Sequence, residues 1–146
     1  MPDLLRSDWA HLIPHAGAMC LLDAVRRFDA ETIWAVSTRH ASADHPLRGE
    51  HGLHAVHLIE YGAQAAAVHA ALTARERGDE TVRAGRLVSV RDCTLHVGTV
   101  DRLHGEICVT AQCLYADDSG AQYTFAVECG GQPLASGRVA VIHPRL

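Results

Sequence analysis

One alanine-rich run constrains this chain more than any other feature. From about His54 to Arg77 the residues favour helix strongly, because alanine loses no side-chain entropy on entering one. Val56, Ile59, Ala63, Ala66, Ala67, Ala70 and Ala71 form a stripe along it, and Gly78 marks its end. Small side chains dominate the stripe, so another element can approach this helix closely.

Everything else of any length has strand periodicity. Met19 to Phe28 and Thr32 to Thr38 alternate apolar and polar residues around an Asp29-Ala30-Glu31 turn, which predicts a hairpin. After the helix come four more strands, Arg86 to Val97, Ile107 to Tyr115, Gln122 to Glu128 and Leu134 to Ile142, separated by glycine-rich turns. Before them, Ser7 is expected to cap a short helix carrying Trp9, Leu12 and Ile13, which Pro14 ends. Residues 41 to 53 have the composition of a loop, and loops of that length in a compact domain are usually functional. Two strands, one long helix and a four-strand meander are buried most simply as an α+β fold, an antiparallel sheet curled around the helix. A chain of 146 residues suffices for one such domain, 1–146.

Composition excludes several classes of function. All 13 basic residues are arginine, dispersed in a chain of net charge -4, so the basic footprint that nucleic acid requires is missing. Charges interrupt the first residues and Glu60, Gln64 and His69 break the least polar stretch, so neither a signal peptide nor a membrane span is expected and the cytoplasm is the expected location. Five cysteines without a C-x-x-C pair read as reduced, mostly buried small hydrophobes rather than as a disulfide framework or zinc ribbon.

The segment Ile13-Pro14-His15-Ala16-Gly17-Ala18-Met19-Cys20-Leu21-Leu22-Asp23 resembles the L-P-H-x-x-P-hydrophobic-L-L-h-D segment of FabZ-type dehydratases and their aryl-polyene relatives of the ApeP type. His54-Ala55-Val56-His57-Leu58-Ile59-Glu60-Tyr61-Gly62-Ala63-Gln64-Ala65 looks like the P-G-h-h-h-h-E-x-M-A-Q-A opening of the same family's central helix. The order of the later strands is similar too, so the resemblance spans nearly the whole chain, and the ApeP-like branch is the nearer match. It implies a hotdog fold, a homodimer or higher oligomer of dimers with active sites at the subunit interface, and 3-hydroxyacyl-(acyl carrier protein) dehydratase activity. The implied partner is acyl carrier protein, with the substrate on its phosphopantetheine and no other cofactor. Departures fall at His54 and Ala55 in place of proline and glycine, at Gly62 in place of methionine, and at Asp44-His45-Pro46-Leu47 in place of a G-H-F-P loop.

Dehydration of a 3-hydroxyacyl thioester requires a base beside the carbonyl, an acid for the departing hydroxyl, and donors for the enolate-like oxygen. Glu60 lies near the start of an apolar helix, where removal from water lets a carboxyl hold or pass a proton near neutrality, and the resemblance gives it the acid's part. The base is open among three histidines: His45 by its loop position, His15 by the leading motif, and His57 one turn before Glu60. The amides of Ala55 and Val56 open the helix and are expected to hold the thioester oxygen. Gln64, four residues after Glu60, either orients that carboxylate or satisfies buried backbone. Arg91, with Arg48, Arg83 and Arg86, is expected to form a basic rim for the pantetheine channel and an acidic carrier.

Three other readings compete. His51, His54, His57 and Glu60 recur every third residue, but steps of three drift about 60° per step around a helix, so the four do not converge on one metal ion and none is expected. A hotdog thioesterase, with a carboxylate activating water, is the second. A catalytically inactive paralogue that binds acyl carrier is the third.

Overall fold

The computed structural model describes residues 2–15, 17–82 and 85–143; Ala16 of the leading motif and Arg83 of the expected rim lie outside these. Seven strands form one antiparallel sheet around one long helix. In chain order they are β1 (Leu4–Leu5), β2 (Ala24–Phe28), β3 (Thr32–Ser37), β4 (Arg86–Leu95), β5 (Ile107–Asp117), β6 (Gly120–Cys129) and β7 (Gln132–Ile142). Their order across the sheet is β1-β2-β3-β5-β6-β7-β4, so the strand that follows the long helix crosses to the far edge. Register runs from Thr32↔Gln112 to Ser37↔Ile107 between β3 and β5, and from Gly120↔Ile142 to Cys129↔Gln132 between β6 and β7.

The short helix α1 (Arg6–Trp9) continues as a 3-10 turn over Ala10–Leu12. Ser7 lies inside α1 rather than capping it. The first turn is closed by Asp8, whose carboxylate accepts the Leu5 amide at 2.9 Å, because pairing of Leu4 and Leu5 with Val25 and Ala24 moves the cap from Ser7 to Leu5. The Asp29 carboxylate accepts the amides of Glu31 and Thr32 at 2.9 and 2.8 Å, which fixes the β2–β3 turn where the residues predicted it. Strand β2 begins at Ala24 rather than at Met19, since Gly17–Met19 form a 3-10 turn.

The long helix α2 (Leu58–Glu76) is preceded by a 3-10 turn over Ala55–His57. Leu58, Tyr61, Ala65, Val68 and Leu72 are buried against Ile33, Ile107, Val109, Phe125 and Val127 of the sheet. Each fully buried aliphatic side chain of this kind contributes about 2 kcal/mol. Close approach to the helix occurs at Gly62, outside the predicted stripe, where an added Cβ would lie 2.5 Å from Phe125 of β6. Of the five free cysteines only Cys20 is buried; Cys93 is exposed and Cys108, Cys113 and Cys129 are half-buried, a correction to the expectation of mostly buried thiols. No helix among the described residues is long and apolar enough to cross a membrane.

Candidate active site

Glu60 stands in the first turn of α2, and the leading segment brings His15 against it. His15 Nε2 lies 3.3 Å from Glu60 Oε1, with the two side chains 28 and 30% exposed, so the desolvation expected of Glu60 is partial. His15 Nδ1 is buried and has no hydrogen-bond partner among the described residues. Both side chains line a cavity of about 970 Å³ that runs along α2, with Ala63, Ala67 and Ala70 on the helix side and Tyr123 and Val141 on the sheet side.

Two segments must hold still for that contact to exist, and Gln64 ties them together. Its Oε1 accepts the Leu21 amide at 2.9 Å and its Nε2 donates to the Met19 carbonyl, so the fully buried amide clamps the leading segment onto α2. Of the two parts foreseen for Gln64, the structure shows satisfaction of buried backbone; both ends are committed there rather than to Glu60.

The other two candidate bases are placed elsewhere within the chain. His45 is 3% exposed, its Nδ1 accepts the Leu47 amide at 3.1 Å, and its Nε2 lies 2.9 Å from the Tyr61 hydroxyl. Since Nδ1 accepts, Nε2 carries the proton and donates to Tyr61. Burial, then the Arg39 guanidinium, push the His45 pKa down, which keeps the ring neutral. His57 lines a separate cavity of about 250 Å³ with His51, His54, Leu47 and Thr99. Among the described residues no group of three or more His, Cys, Asp or Glu side chains is arranged to hold a metal ion.

The expected oxyanion donors are already used. Ala55 N–H donates to the Gly98 carbonyl at 2.8 Å and Val56 N–H to His54 Nδ1 at 3.0 Å. The expectation that these amides are free is therefore corrected: the strand-like pairing of His54 with Thr99 draws Gly98 onto the helix start, and the His54 side chain caps it.

With this geometry in hand, comparison with family models matches residues 7–146 to the ApeP-like family, described as ApeP dehydratase. The chain belongs to the ApeP-like dehydratase family. Among solved structures it is similar to the dehydratase heterocomplex ApeI:P from Xenorhabdus doucetiae, at 22% identity and TM-score 0.83, over 93% of this chain and 90% of that one. It is similar also to AziG from S. sahachiroi, at 21% identity and TM-score 0.55, over 86 and 92%. A mutant thioesterase from Staphylococcus aureus matches at 15% identity and TM-score 0.57, over 82 and 92%. Comparison with curated proteins found no match. These likenesses establish the hotdog fold.

Within the ApeP-like chain, the positions that depart from the related motif acquire physical reasons. His54 supplies a side-chain cap where proline stands in relatives, and Gly62 makes room for Phe125 where they carry methionine. The basic rim is thinner than expected. Arg48 is held 3.2 Å from Asp101, while Arg86 and Arg91 are exposed on β4.

The residues missed by sequence reasoning are buried hydroxyls and imidazoles. Tyr61 is fully buried beside His45, and His69 pairs with Tyr123 at 2.6 Å while its Nε2 donates to the Asp29 carbonyl at 2.8 Å. Tyr61, adjacent to Glu60, is an aromatic in an alanine-rich run, which was the available signal.

Proposed function

We propose that this ApeP-like dehydratase removes water from 3-hydroxyacyl thioesters carried on the phosphopantetheine of acyl carrier protein, in assembly of the aryl polyene type, with His15 and Glu60 as the reacting pair. The observation that carries the reading is the 3.3 Å contact between these two side chains on the wall of the α2 cavity. His15 is the base. Its imidazole, held 3.3 Å from Glu60 Oε1 on the cavity wall, takes the C2 proton as the C2=C3 bond forms. The C3–O bond breaks, and the hydroxyl leaves as water with the proton that Glu60 carried. The resulting imidazolium and carboxylate are an opposed pair in contact, and exchange with solvent returns one proton from His15 and another to Glu60.

No free amide at the α2 start is available for the enolate-like oxygen, so the remaining donors come from a second subunit. The exposed apolar edge of β4 is the surface that supports pairing with another copy, and the family's neighbour being a heterocomplex supports association as part of the working form. Arg86 and Arg91 on β4 suit an acidic carrier. The test is turnover of a 3-hydroxyacyl carrier thioester. The wild type should give the 2-enoyl thioester without free thiol, and Glu60→Gln should lower kcat about 100-fold or more with the fold intact. Free thiol as the product would replace dehydration with hydrolysis, and tight carrier binding without turnover would leave only a binding role.

A further inference from the structure

Taking His15 and Glu60 as the reacting pair, we infer that Ser37, the last residue of β3, is a positioning residue that keeps His15 against Glu60 by gripping the leading segment. The Ser37 side chain is fully buried, and its hydroxyl both donates and accepts. Oγ donates to the Leu21 carbonyl at 2.6 Å, the only sense a carbonyl allows, and accepts the Arg39 amide at 3.1 Å. The Arg39 guanidinium reaches back in turn to the Ala18 carbonyl at 3.3 Å. One hydroxyl therefore holds the leading segment twice, directly at Leu21 and through Arg39 at Ala18.

Residues 20 to 23 belong to no helix or strand, so side chains rather than a ladder fix Leu21. Gln64 of α2 takes its amide at 2.9 Å, and Ser37 of β3 takes its carbonyl. Leu21, itself fully buried, is thereby pinned between the helix that carries Glu60 and the sheet. The Cys20 amide donates to the Gly17 carbonyl at 3.1 Å and closes the 3-10 turn over Gly17–Met19, so a displacement of Leu21 is carried to within two residues of His15. Without the hydroxyl, the carbonyl of a buried residue loses its partner, and backbone must move to satisfy it. Misplacement of reacting groups by about 1 Å costs on the order of 100-fold in rate, so Ser37 acts on turnover through geometry.

The experiment compares Ser37→Ala and Ser37→Cys with the wild type, using a 3-hydroxyacyl N-acetylcysteamine thioester, the absorbance of the enoyl product, and a crystal structure of each variant. Ser37→Ala should lower kcat about 10- to 100-fold while KM stays within about threefold. Ser37→Cys, a weaker donor of similar shape, should fall between that variant and the wild type. On a Glu60→Gln background, Ser37→Ala should add little, because both act through one contact. Wild-type kcat in Ser37→Ala, or in Ser37→Cys should the alanine variant not fold, would overturn the inference even with a lower melting temperature. A multiplicative double variant would do the same, as would a slowed variant whose His15 to Glu60 contact stays at 3.3 Å. Full activity in Glu60→Gln would instead remove the reacting-pair reading. The variant structures then decide the geometric claim alone: a widened contact upholds it, and an unchanged one sinks it.

Discussion

The sheet has two free edges, and they are built on opposite principles. At one, β1 is two residues long and flanked by charge: Arg26 pairs with Asp3 and with Glu106, and Arg6 lies 2.9 Å from Asp23 and also donates to the Leu22 carbonyl. At the other, β4 runs for ten residues and leaves Leu87, Val88, Val90 and Leu95 between 37 and 52% exposed. Short, charged edges discourage pairing with another chain, whereas a long apolar one invites it. The strands between show what completion looks like, since β6 alternates buried and exposed residues while almost every residue of β4 is exposed. The edge β4 is therefore open to pairing in a single chain, and the cavity that holds His15 and Glu60 borders it through Leu87.

The largest effect should come from breaking the unfinished edge. Val88, 52% exposed, contributes only surface to a single chain, so Val88→Asp should leave the fold of one chain intact. If a second copy covers β4, the buried charge weakens association by about 30-fold or more, the equivalent of about 2 kcal/mol. Light scattering should then report a smaller species, and turnover should fall with it. A wild-type protein that sediments as one chain at every concentration would dissolve the contrast between the edges.

A second substitution sharpens the contrast from the inside. Gly62→Ala places a methyl 2.5 Å from the Phe125 ring, a seam finished within one chain, so it should lower stability by about 1 to 3 kcal/mol, read as a lower melting temperature. Association should be unaffected. Phe125→Ala should cost less on the Gly62→Ala background than in the wild type if the clash is the cause.

Much of this arrangement was legible beforehand, and the parts that were not share a cause. Periodicity exposed α2 and the six longer strands because each repeats its pattern over several residues, whereas β1, with two residues, has no period to detect. Glu60 and His15 stood out through flanking motifs, yet three histidines competed as base because only the folded path of residues 15 to 23 brings one of them to the carboxylate. The amides of Ala55 and Val56 looked free because a sequence does not show that a carbonyl 43 positions on, that of Gly98, lies within 2.8 Å of Ala55. Long-range partners of backbone groups are set by the closed fold, and no local pattern encodes them.

Acid should probe the two halves of α2 without any mutation. His45 near its start and His69 near its middle both have pKa values pushed below the ordinary 6.5, chiefly by burial. Below about pH 6.5 the unfolded chain takes up protons that these folded imidazoles refuse, so stability falls as pH drops, by at most about 1.4 kcal/mol per pH unit for each histidine. Above that pH neither contributes a slope. Chemical denaturation between about pH 7.5 and about pH 5.5, one unit either side of the ordinary value, should show the decline, and His69→Gln should flatten it. An unchanged slope in that variant would assign the effect to His45 alone.

The smallest effect belongs to the blunted edge. Leu5 is 59% exposed on β1, a larger fraction than any apolar residue of β4, so exposure alone would rank it as the better interface residue. Edge chemistry ranks it last, because a two-residue strand presents few unpaired backbone groups and its neighbours are ion pairs already engaged with each other. Leu5→Glu should accordingly change stability by less than about 0.5 kcal/mol and leave both the oligomer and turnover where they were. Dissociation on Leu5→Glu but not on Val88→Asp would reverse the assignment of the two edges, and with it the position proposed for a second copy relative to His15 and Glu60.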